Sequence, residues 1–517
     1  MIESNELKRR DSYLNKLIGF QDTEPVKVIT GIRRCGKSSL LKLMVQHLKE
    51  TGILAEQIIE MNFESHDYRG MSGDDIYQYV KERIVPGKRM YLFFDELQRI
   101  RAWEEAINSF RVDFNCDIYV TGSNAYLLSS EYATYLSGRC VEIKMLPLSF
   151  REFLVFHGFE LREIQSALGG QRKQVFDHNG ERYELREVFD AYMRFGGMPG
   201  IADVGLEQEK ALTLLDGIYS TVVIRDILER EKRRGQKQIT DPVLLRKIIL
   251  FLADNIGSSV SIASIGNTLI NEGLLEDGRR KGAPSAHTVQ AYVNALLESY
   301  FFYEIKRFDI KGKEYLRTLG KYYIVDIGLR NYLLGFRNRD SGHAIENVVF
   351  FELLRRGYDV AIGKIGNTEV DFIATTADDK KYIQVTESMV SEEVRTRELA
   401  PLRNIRDNYE KIVLSMETGL DTSYDGIKSL SLIDWLTRQC VEKRNIGANQ
   451  VITRLRKSRG QCHLPGLVWI PKRVSHFTTP FENFFSAGNC NLLCCLCFLF
   501  QKINDTKFRD AVYLPNS

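Results

Sequence analysis

The chain has 517 residues, of which 44% are hydrophobic and 27% charged; this is typical of globular proteins and too long for one hydrophobic core. The formal net charge is +3, but residues 441–517 hold 11 Lys and Arg against 4 Asp and Glu, which leaves the rest of the chain at −4. Overall charge therefore gives no reason to expect nucleic-acid binding by the body of the protein. The first residues are polar, and no apolar run approaches the roughly 18 residues that span a bilayer. With scattered cysteines of the kind found in reducing compartments, these features predict a cytoplasmic protein without a membrane partner.

The first distinctive stretch is a glycine loop between a predicted strand and a predicted helix. The β-branched residues of Val26–Thr30 predict a strand, and apolar residues at helical spacing follow from Leu40. Between them, residues 31–38 fit the pattern G-x-x-x-x-G-K-[ST], whose glycines let backbone N–H groups surround phosphates. Lys37 would reach the β- and γ-phosphates, and the Ser38 hydroxyl would ligate Mg²⁺. The sequence thus predicts a site for ATP and Mg²⁺ formed by Gly31, Ile32, Arg33, Arg34, Cys35, Gly36, Lys37, Ser38 and Ser39.

Two carboxylates follow a nearly continuous apolar run at residues 90–95. Such a run is the form of a buried parallel strand that carries acids at its carboxyl end. Asp95 is predicted to hold Mg²⁺ through water, and Glu96 to polarise the attacking water. The next predicted strand ends in Gly-Ser-Asn, where Ser123 or Asn124 would contact the γ-phosphate; the alternative is an ordinary turn.

A fifth predicted strand, residues 140–145, is preceded by Arg139, which is either a solvated turn residue or an arginine that acts on the γ-phosphate of a neighbouring subunit.

The runs GIRRCGKSSLL, YLFFDELQ, VTGSNAYLLSS, LSGR and LPLSFREF occur in this order. Together they resemble the predicted AAA-type ATPases of prokaryotes, in which the ATPase core is fused to a C-terminal domain of unknown function with a restriction-endonuclease-like fold. The resemblance covers residues 1–439. It implies an α/β P-loop NTPase core at residues 1–150, with a five-stranded parallel sheet whose phosphate-loop strand is central. It also favours Arg139 as the trans-acting arginine, and hence a homo-oligomer.

The core is followed by a predicted helical lid at residues 151–240 and a winged-helix-like domain at residues 241–320. The latter prediction rests on three amphipathic helices and a hairpin, residues 301–307 and 315–319, around Lys311-Gly312-Lys313. The third helix would expose His287, Gln290 and Asn294, just after the basic residues 279–281. Such a module either reads DNA or packs within the protein.

Residues 321–439 are predicted to form the restriction-endonuclease-like α/β domain. Glu346 on a helix, Asp371 on a hairpin strand and Gln384 on the next strand match the pattern of a metal-dependent nuclease. The lysine position of that pattern is Thr386, and Lys380 and Lys381 come too early in the sequence. The sequence therefore favours a degenerate domain kept for binding or assembly, with an active nuclease as the alternative.

The last segment, residues 440–517, is basic and rich in cysteine but has no sustained helical or strand period. Its cysteines lack the second pair that a zinc site needs, so a disordered or appended extension is favoured over a metal or lipid site.

The combined prediction is an ATPase that couples MgATP hydrolysis to its C-terminal domains, acting on DNA or a protein partner. The alternatives are a nucleotide-regulated scaffold with slow turnover and an ATP-driven nuclease.

Overall fold

The computed structural model describes residues 7–123, 138–165, 171–228, 239–271, 284–315, 319–337, 341–417 and 422–438. The predictions for Asn124, for the basic residues 279–281 and for the segment 440–517 lie outside these residues.

A five-stranded parallel sheet forms the first layer of the described chain, and it confirms the predicted core. The strand order is β2-β3-β4-β1-β5, so that β1 is an inner strand and β4 takes the middle position. Both β1 and β3 are buried along their whole length, because helices cover both faces of the sheet. The carboxyl ends of all five strands meet at one edge. The elements are β1 (Val26–Thr30), β2 (Ile58–Asn62), β3 (Met90–Asp95), β4 (Cys116–Gly122), β5 (Cys140–Lys144), and the helices Asp11–Gly19, Lys37–Glu50, Gly73–Lys81 and Trp103–Asp113.

The lid is less helical than predicted, since it contains a small antiparallel sheet. Strand β6 (Glu160–Gln165) is exposed at nearly every position, so it lacks the alternation that marks a half-buried strand. It pairs with β7 (Gln171–Phe176), which pairs in turn with β8 (Arg182–Tyr183). The helices of this region are Phe150–Phe156, Leu185–Phe195, Ile201–Val204 and Gln208–Ser220, and a π-helix follows at Thr221–Leu228.

The next region contains the three expected helices, Pro242–Asp254, Ile262–Asn271 and Ala286–Glu298. The predicted hairpin is only partly correct, however, because residues 302–305 do not belong to it. Strand β10 (Phe302–Ile305) pairs with β13 (Gly320–Ile324), which also pairs with β9 (Ser259–Val260), in a small antiparallel sheet. The turn at residues 311–313 instead joins β11 (Arg307–Asp309) to β12 (Glu314–Tyr315), which belong to another sheet.

That other sheet has eight strands within the described residues, in the order β12-β11-β14-β15-β16-β17-β19-β18. Strand β11 pairs with β14, and Arg307 of β11 also forms an ion pair (2.7 Å) with Glu369 of β15 (Thr368–Thr375), the strand on the other side of β14. The chain thus passes between two sheets across the boundary predicted at residue 320. The remaining elements are β14 (Asp359–Ile365), β15 (Thr368–Thr375), β16 (Lys380–Thr386), β17 (Glu410–Ser415), β18 (Thr422–Tyr424), β19 (Ile427–Ser431), and the helices Ile327–Leu334, Ser341–Arg355, Glu392–Arg403 and Leu432–Thr437.

Helices cover both faces of the eight-stranded sheet. Ser341–Arg355 packs with Phe372 and Ile383 on one face, and Glu392–Arg403 packs with Ile373 and Tyr382 on the other. None of the helices in the described segments is long and apolar enough to cross a membrane.

Candidate active site

The glycine loop lies between β1 and the helix Lys37–Glu50, as the sequence predicts. Gly31 and Gly36 have φ values of 140° and 103°, a region that favours glycine. A Cβ at Gly31 would also collide with the carbonyl oxygen of Met145. The Lys37 ammonium is buried and donates to the carbonyl oxygens of Gly31 (2.9 Å) and Ile32 (3.1 Å). The loop is therefore tightly curled around its own lysine.

The side chains of the loop divide into two groups. Ile32 and Cys35 are fully buried in the core, so they can offer a ligand only their backbone. Ser38 and Ser39 are exposed at the first turn of the helix, and Arg34 is exposed at a left-handed position of the loop (φ 63°). Unpaired N–H groups at this helix end attract anions. The hydroxyl of Ser38 is thus placed where a phosphate-bound cation could reach it.

Asp95 and Glu96 end β3 at the same sheet edge as the loop. Asp95 accepts hydrogen bonds from the Thr121 hydroxyl of β4 and from the Asn62 amide of β2, at 3.1 Å from the latter. The Glu96 N–H donates to the same Thr121 hydroxyl, at 2.9 Å. Glu96 itself adopts a left-handed backbone conformation (φ 57°), which is uncommon for a residue with a side chain and occurs at functional sites. The ends of three strands therefore fix the two carboxylates.

The carboxylate of Glu96 is held by two polar side chains. Gln98 Nε2 donates to Glu96 Oε2 at 2.5 Å, and the Ser123 hydroxyl donates to the same oxygen at 3.3 Å. Ser123 is 1% exposed, so it faces the site and not solvent. Sequence reasoning named Ser123 but missed Gln98, although the run DELQ places it two residues after Glu96.

Arg33 of the glycine loop contacts three carboxylates, those of Asp226, Glu64 and Glu96. Its guanidinium donates to Asp226 through Nε and Nη2 (3.0 to 3.3 Å) and to Glu64 through Nη1 (3.1 Å). Its Nη2 also lies 4.0 Å from Glu96 Oε2. Sequence reasoning placed Arg33 in the loop but found neither Asp226 nor Glu64, which other elements bring to it.

Arg139 lies at the other end of the sheet. Its carbonyl oxygen accepts from the N–H of Val26, the first residue of β1, whereas the phosphate loop follows the last. The side chain is exposed, and its Nη1 donates to Asn108 Oδ1 (3.4 Å). Arg139 is thus remote from the loop of its own chain.

A second polar cluster lies on the eight-stranded sheet, and it contains the residues predicted for a nuclease. The Asp371 N–H donates to Gln384 Oε1 (3.4 Å), and Asp371 Oδ2 accepts from the N–H of Val385 (2.8 Å). Burial, and then the nearby charge of Glu346, raises the pKa of Asp371 well above its ordinary value. The three predicted residues are therefore neighbours, and Gln384 also donates to Glu398 (3.1 Å), which sequence reasoning missed.

A lysine also reaches this cluster. Lys321 of β13 is 7% exposed, and its ammonium lies 3.8 Å from Glu346 Oε2. Its charge acts on Asp371 as well, since it opposes the rise in the pKa of that carboxyl. Across the described part of the chain, no group of three or more His, Cys, Asp or Glu side chains is placed to hold a metal ion. The cluster thus combines two close carboxylates, an amide and an ammonium without a third ligating acid.

Comparison with known families agrees with this architecture. A family model described as an AAA domain matches residues 23–154, which contain the loop and both carboxylates. A second model, described as a domain of unknown function (DUF8612), matches residues 186–340, from the lid to the helix Ile327–Leu334.

Two relatives match along most of this chain. An "Uncharacterized protein" of Haemophilus influenzae is 39% identical over 437 residues, which are 84% of this chain and 99% of that protein. "Uncharacterized protein MJ1544" of Methanocaldococcus jannaschii is 30% identical over 394 residues, which are 74% of this chain and 80% of that protein.

Solved structures show distant similarity. The ORC1 protein of Aeropyrum pernix, solved in complex with DNA, is 12% identical with a TM-score of 0.28, covering 64% of this chain and 94% of its own. AMPPCP-bound DnaA from Aquifex aeolicus is 13% identical with a TM-score of 0.22, covering 55% of this chain and 86% of its own.

Proposed function

We propose that this chain binds and hydrolyses MgATP. It belongs to the same family as its Haemophilus influenzae and Methanocaldococcus jannaschii relatives, and the AAA domain model matches its residues 23–154. One observation carries the proposal: Arg33 of the glycine loop lies 4.0 Å from Glu96. The glycine loop and the candidate base therefore lie side by side at one sheet edge. A loop that only turned the chain would not need a buried acid beside it.

The residues present fit a magnesium nucleotide. The curled loop excludes a Cβ at Gly31, and Lys37 and the N–H groups at the start of its helix would hold the phosphates. Ser38 and, through water, Asp95 would hold Mg²⁺, which neutralises charge on the β- and γ-phosphate oxygens. Glu96 would accept the proton of the attacking water, with its carboxylate oriented by Gln98 and Ser123.

Turnover of ATP by the purified chain tests this proposal, with Lys37→Ala and Glu96→Gln as variants. Lys37→Ala should lose both nucleotide binding and hydrolysis, because it removes a cation from the phosphates. Glu96→Gln should bind ATP normally yet hydrolyse it about 10² to 10⁴ times more slowly, the usual contribution of general-base catalysis. Unchanged hydrolysis in both variants would refute the proposal. Slow wild-type turnover together with tight ATP binding would instead favour a nucleotide-regulated scaffold.

We further propose that hydrolysis acts through the region after residue 241 on DNA or a protein partner. Three polar side chains support a contact surface there, since His287, Gln290 and Asn294 are exposed on one face of the helix Ala286–Glu298. The opposite face is buried through Val289 and Tyr292. ATPase turnover that duplex DNA stimulates, less so as salt rises, would assign this surface to nucleic acid. Turnover indifferent to DNA would assign it to a protein.

A second candidate function is metal-dependent cleavage of nucleic acid, and Lys321 is the observation that favours it. It places an ammonium beside Glu346 in a cluster whose sequence pattern lacks its lysine, because Thr386 stands at the lysine position. We expect Mg²⁺-dependent nicking of plasmid DNA that Asp371→Ala abolishes and Lys321→Ala strongly reduces. Absence of nicking by the wild-type chain would leave the degenerate domain, kept for binding or assembly, as the function of this sheet.

A further inference from the structure

We propose that Arg33 is a catalytic arginine supplied by the phosphate loop of the same chain, and that Asp226 of the lid positions it. The inference rests on the proposed ATP hydrolysis and adds a residue to it. A cis-acting arginine would stabilise the γ-phosphate from within each subunit, whether or not Arg139 of a neighbour also acts there.

The contacts of Arg33 fix the guanidinium in one place. Asp226 accepts hydrogen bonds from Nε and Nη2, and Glu64 accepts one from Nη1. Three of the five N–H groups therefore donate to carboxylates. One N–H on each terminal nitrogen is left for another anion. Nη2 is the nitrogen that faces Glu96, at 4.0 Å. The available Nη2 donor thus lies between the loop and the candidate base.

The environment keeps this arginine charged and ordered. The side chains of Arg33 and Asp226 are only 12% and 8% exposed. Burial by itself would lower the pKa of Arg33, but hydrogen bonds to Asp226 and the charges of Asp226 and Glu96 hold that pKa above its ordinary value. A two-point arginine–carboxylate pair also fixes orientation in a way that a lysine could not.

Asp226 comes from an unusual element. It lies in the π-helix Thr221–Leu228, which directly continues the helix Gln208–Ser220. Such π-helical segments are rare and frequently occur at functional sites. The ion pair crosses from this lid segment to the phosphate loop, so the position of the lid sets the position of Arg33.

The chemistry that this arrangement serves is transfer of the γ-phosphoryl group to water. The water oxygen forms a bond to γ-phosphorus while the bond to the β–γ bridging oxygen breaks, and Glu96 takes a proton from the water; the products are ADP and inorganic phosphate. Negative charge accumulates on the bridging and γ-phosphate oxygens as that bond breaks. A guanidinium at this point neutralises it, and arginines in this role raise kcat by about 10³ to 10⁵.

Steady-state ATP hydrolysis of the full chain tests the proposal in Arg33→Ala, Arg33→Lys, Asp226→Asn and the double variant Arg33→Ala with Asp226→Asn. Arg33→Ala should lower kcat by about 10² or more with a much smaller change in KM, and Arg33→Lys should recover little of it. Asp226→Asn should lower kcat less. The double variant should be no slower than Arg33→Ala, because Asp226 acts through Arg33.

The matched control is the exposed pair formed by Arg9 and Asp11, which are 63% and 67% exposed; Arg9→Ala and Asp11→Asn should leave kcat unchanged. If Arg33→Ala lowers the melting temperature and cannot be assayed, Arg33→Lys and Asp226→Asn carry the same test. Wild-type turnover that survives Arg33→Ala would overturn this inference alone. Independent, multiplying effects in the double variant would also overturn it. No wild-type turnover would overturn the proposed hydrolysis itself.

Discussion

Replacement of Gln98 by glutamate tests whether this side chain orients the base. In the native site its amide donates to Glu96 Oε2 at 2.5 Å. In Gln98→Glu the donor becomes a second carboxylate next to the first. Two unit charges about 4 Å apart repel by about 4 kcal/mol at an effective dielectric constant of about 20. That energy corresponds to about 3 pH units, an upper limit that solvent and side-chain movement reduce.

We therefore expect the acid limb of the kcat profile to move up by about 1 to 2 pH units in Gln98→Glu, because the carboxylate pair keeps a proton to higher pH. Gln98→Ala should lower kcat at every pH without moving the limb. The assay is ATP turnover between pH 5 and pH 9 at saturating nucleotide. Gln46→Glu is the matched control, since Gln46 donates to Glu50 on the exposed surface (2.8 Å). An unmoved acid limb in Gln98→Glu would refute the assigned role.

Three further predictions concern stability and assembly. Lys27→Met should lower the free energy of unfolding by about 3 to 5 kcal/mol in chemical denaturation, because it leaves the fully buried carboxylate of Asp117 without its positively charged partner. Burial lowers the pKa of His157 to about 4, below the unfolded value of 6.5, so that this residue contributes stability above pH 6.5 that is lost as pH falls toward 4. Between pH 6.5 and pH 4, the free energy of unfolding of His157→Phe should therefore fall by about 1 to 2 kcal/mol less than that of the wild type. This figure allows for the partial exposure of His157. Mixing Arg139→Ala with Lys37→Ala should restore part of the ATPase activity if Arg139 acts between subunits, because one variant keeps an intact loop and the other an intact arginine.

The phosphate loop could be predicted because its signal is local. Strand, glycines, lysine and helix follow one another between Val26 and Glu50, and the helix begins at Lys37 in the structure. Asp95 and Glu96 could be predicted equally well from the sequence, because a buried strand gives an apolar run and the two acids mark its end. Elements that carry their own pattern were thus found from the sequence.

The residues that complete the sites could not be found in this way. Asp226 reaches Arg33 from a position 193 residues away, and Lys321 reaches Glu346 from a separate sheet. No local pattern distinguishes such residues from the many other charged residues of the surface. The same limit applies to the predicted hairpin: the apolar pattern of Phe302–Ile305 indicated a strand, but it did not indicate that this strand pairs with Gly320–Ile324.

The lid that holds Arg33 is also joined to the C-terminal region, through the segment that follows β5. The Leu148 N–H donates to Gly197 O (2.6 Å), and the Gly197 N–H donates to Asp326 Oδ2 (2.6 Å). Arg355 donates to the carbonyl oxygen of Pro147 (2.9 Å) from the helix Ser341–Arg355. Asp326 is 4% exposed, and this burial raises the pKa of its carboxyl to about 6. Because the Gly197–Asp326 bond is buried, a rotation of the lid would either break it or move the helix Ile327–Leu334, which Asp326 caps, together with the lid. The second outcome is cheaper, since a buried N–H or carboxylate that loses its partner costs about 1 to 3 kcal/mol or more. Movement of the lid would therefore reach the helix Ile327–Leu334.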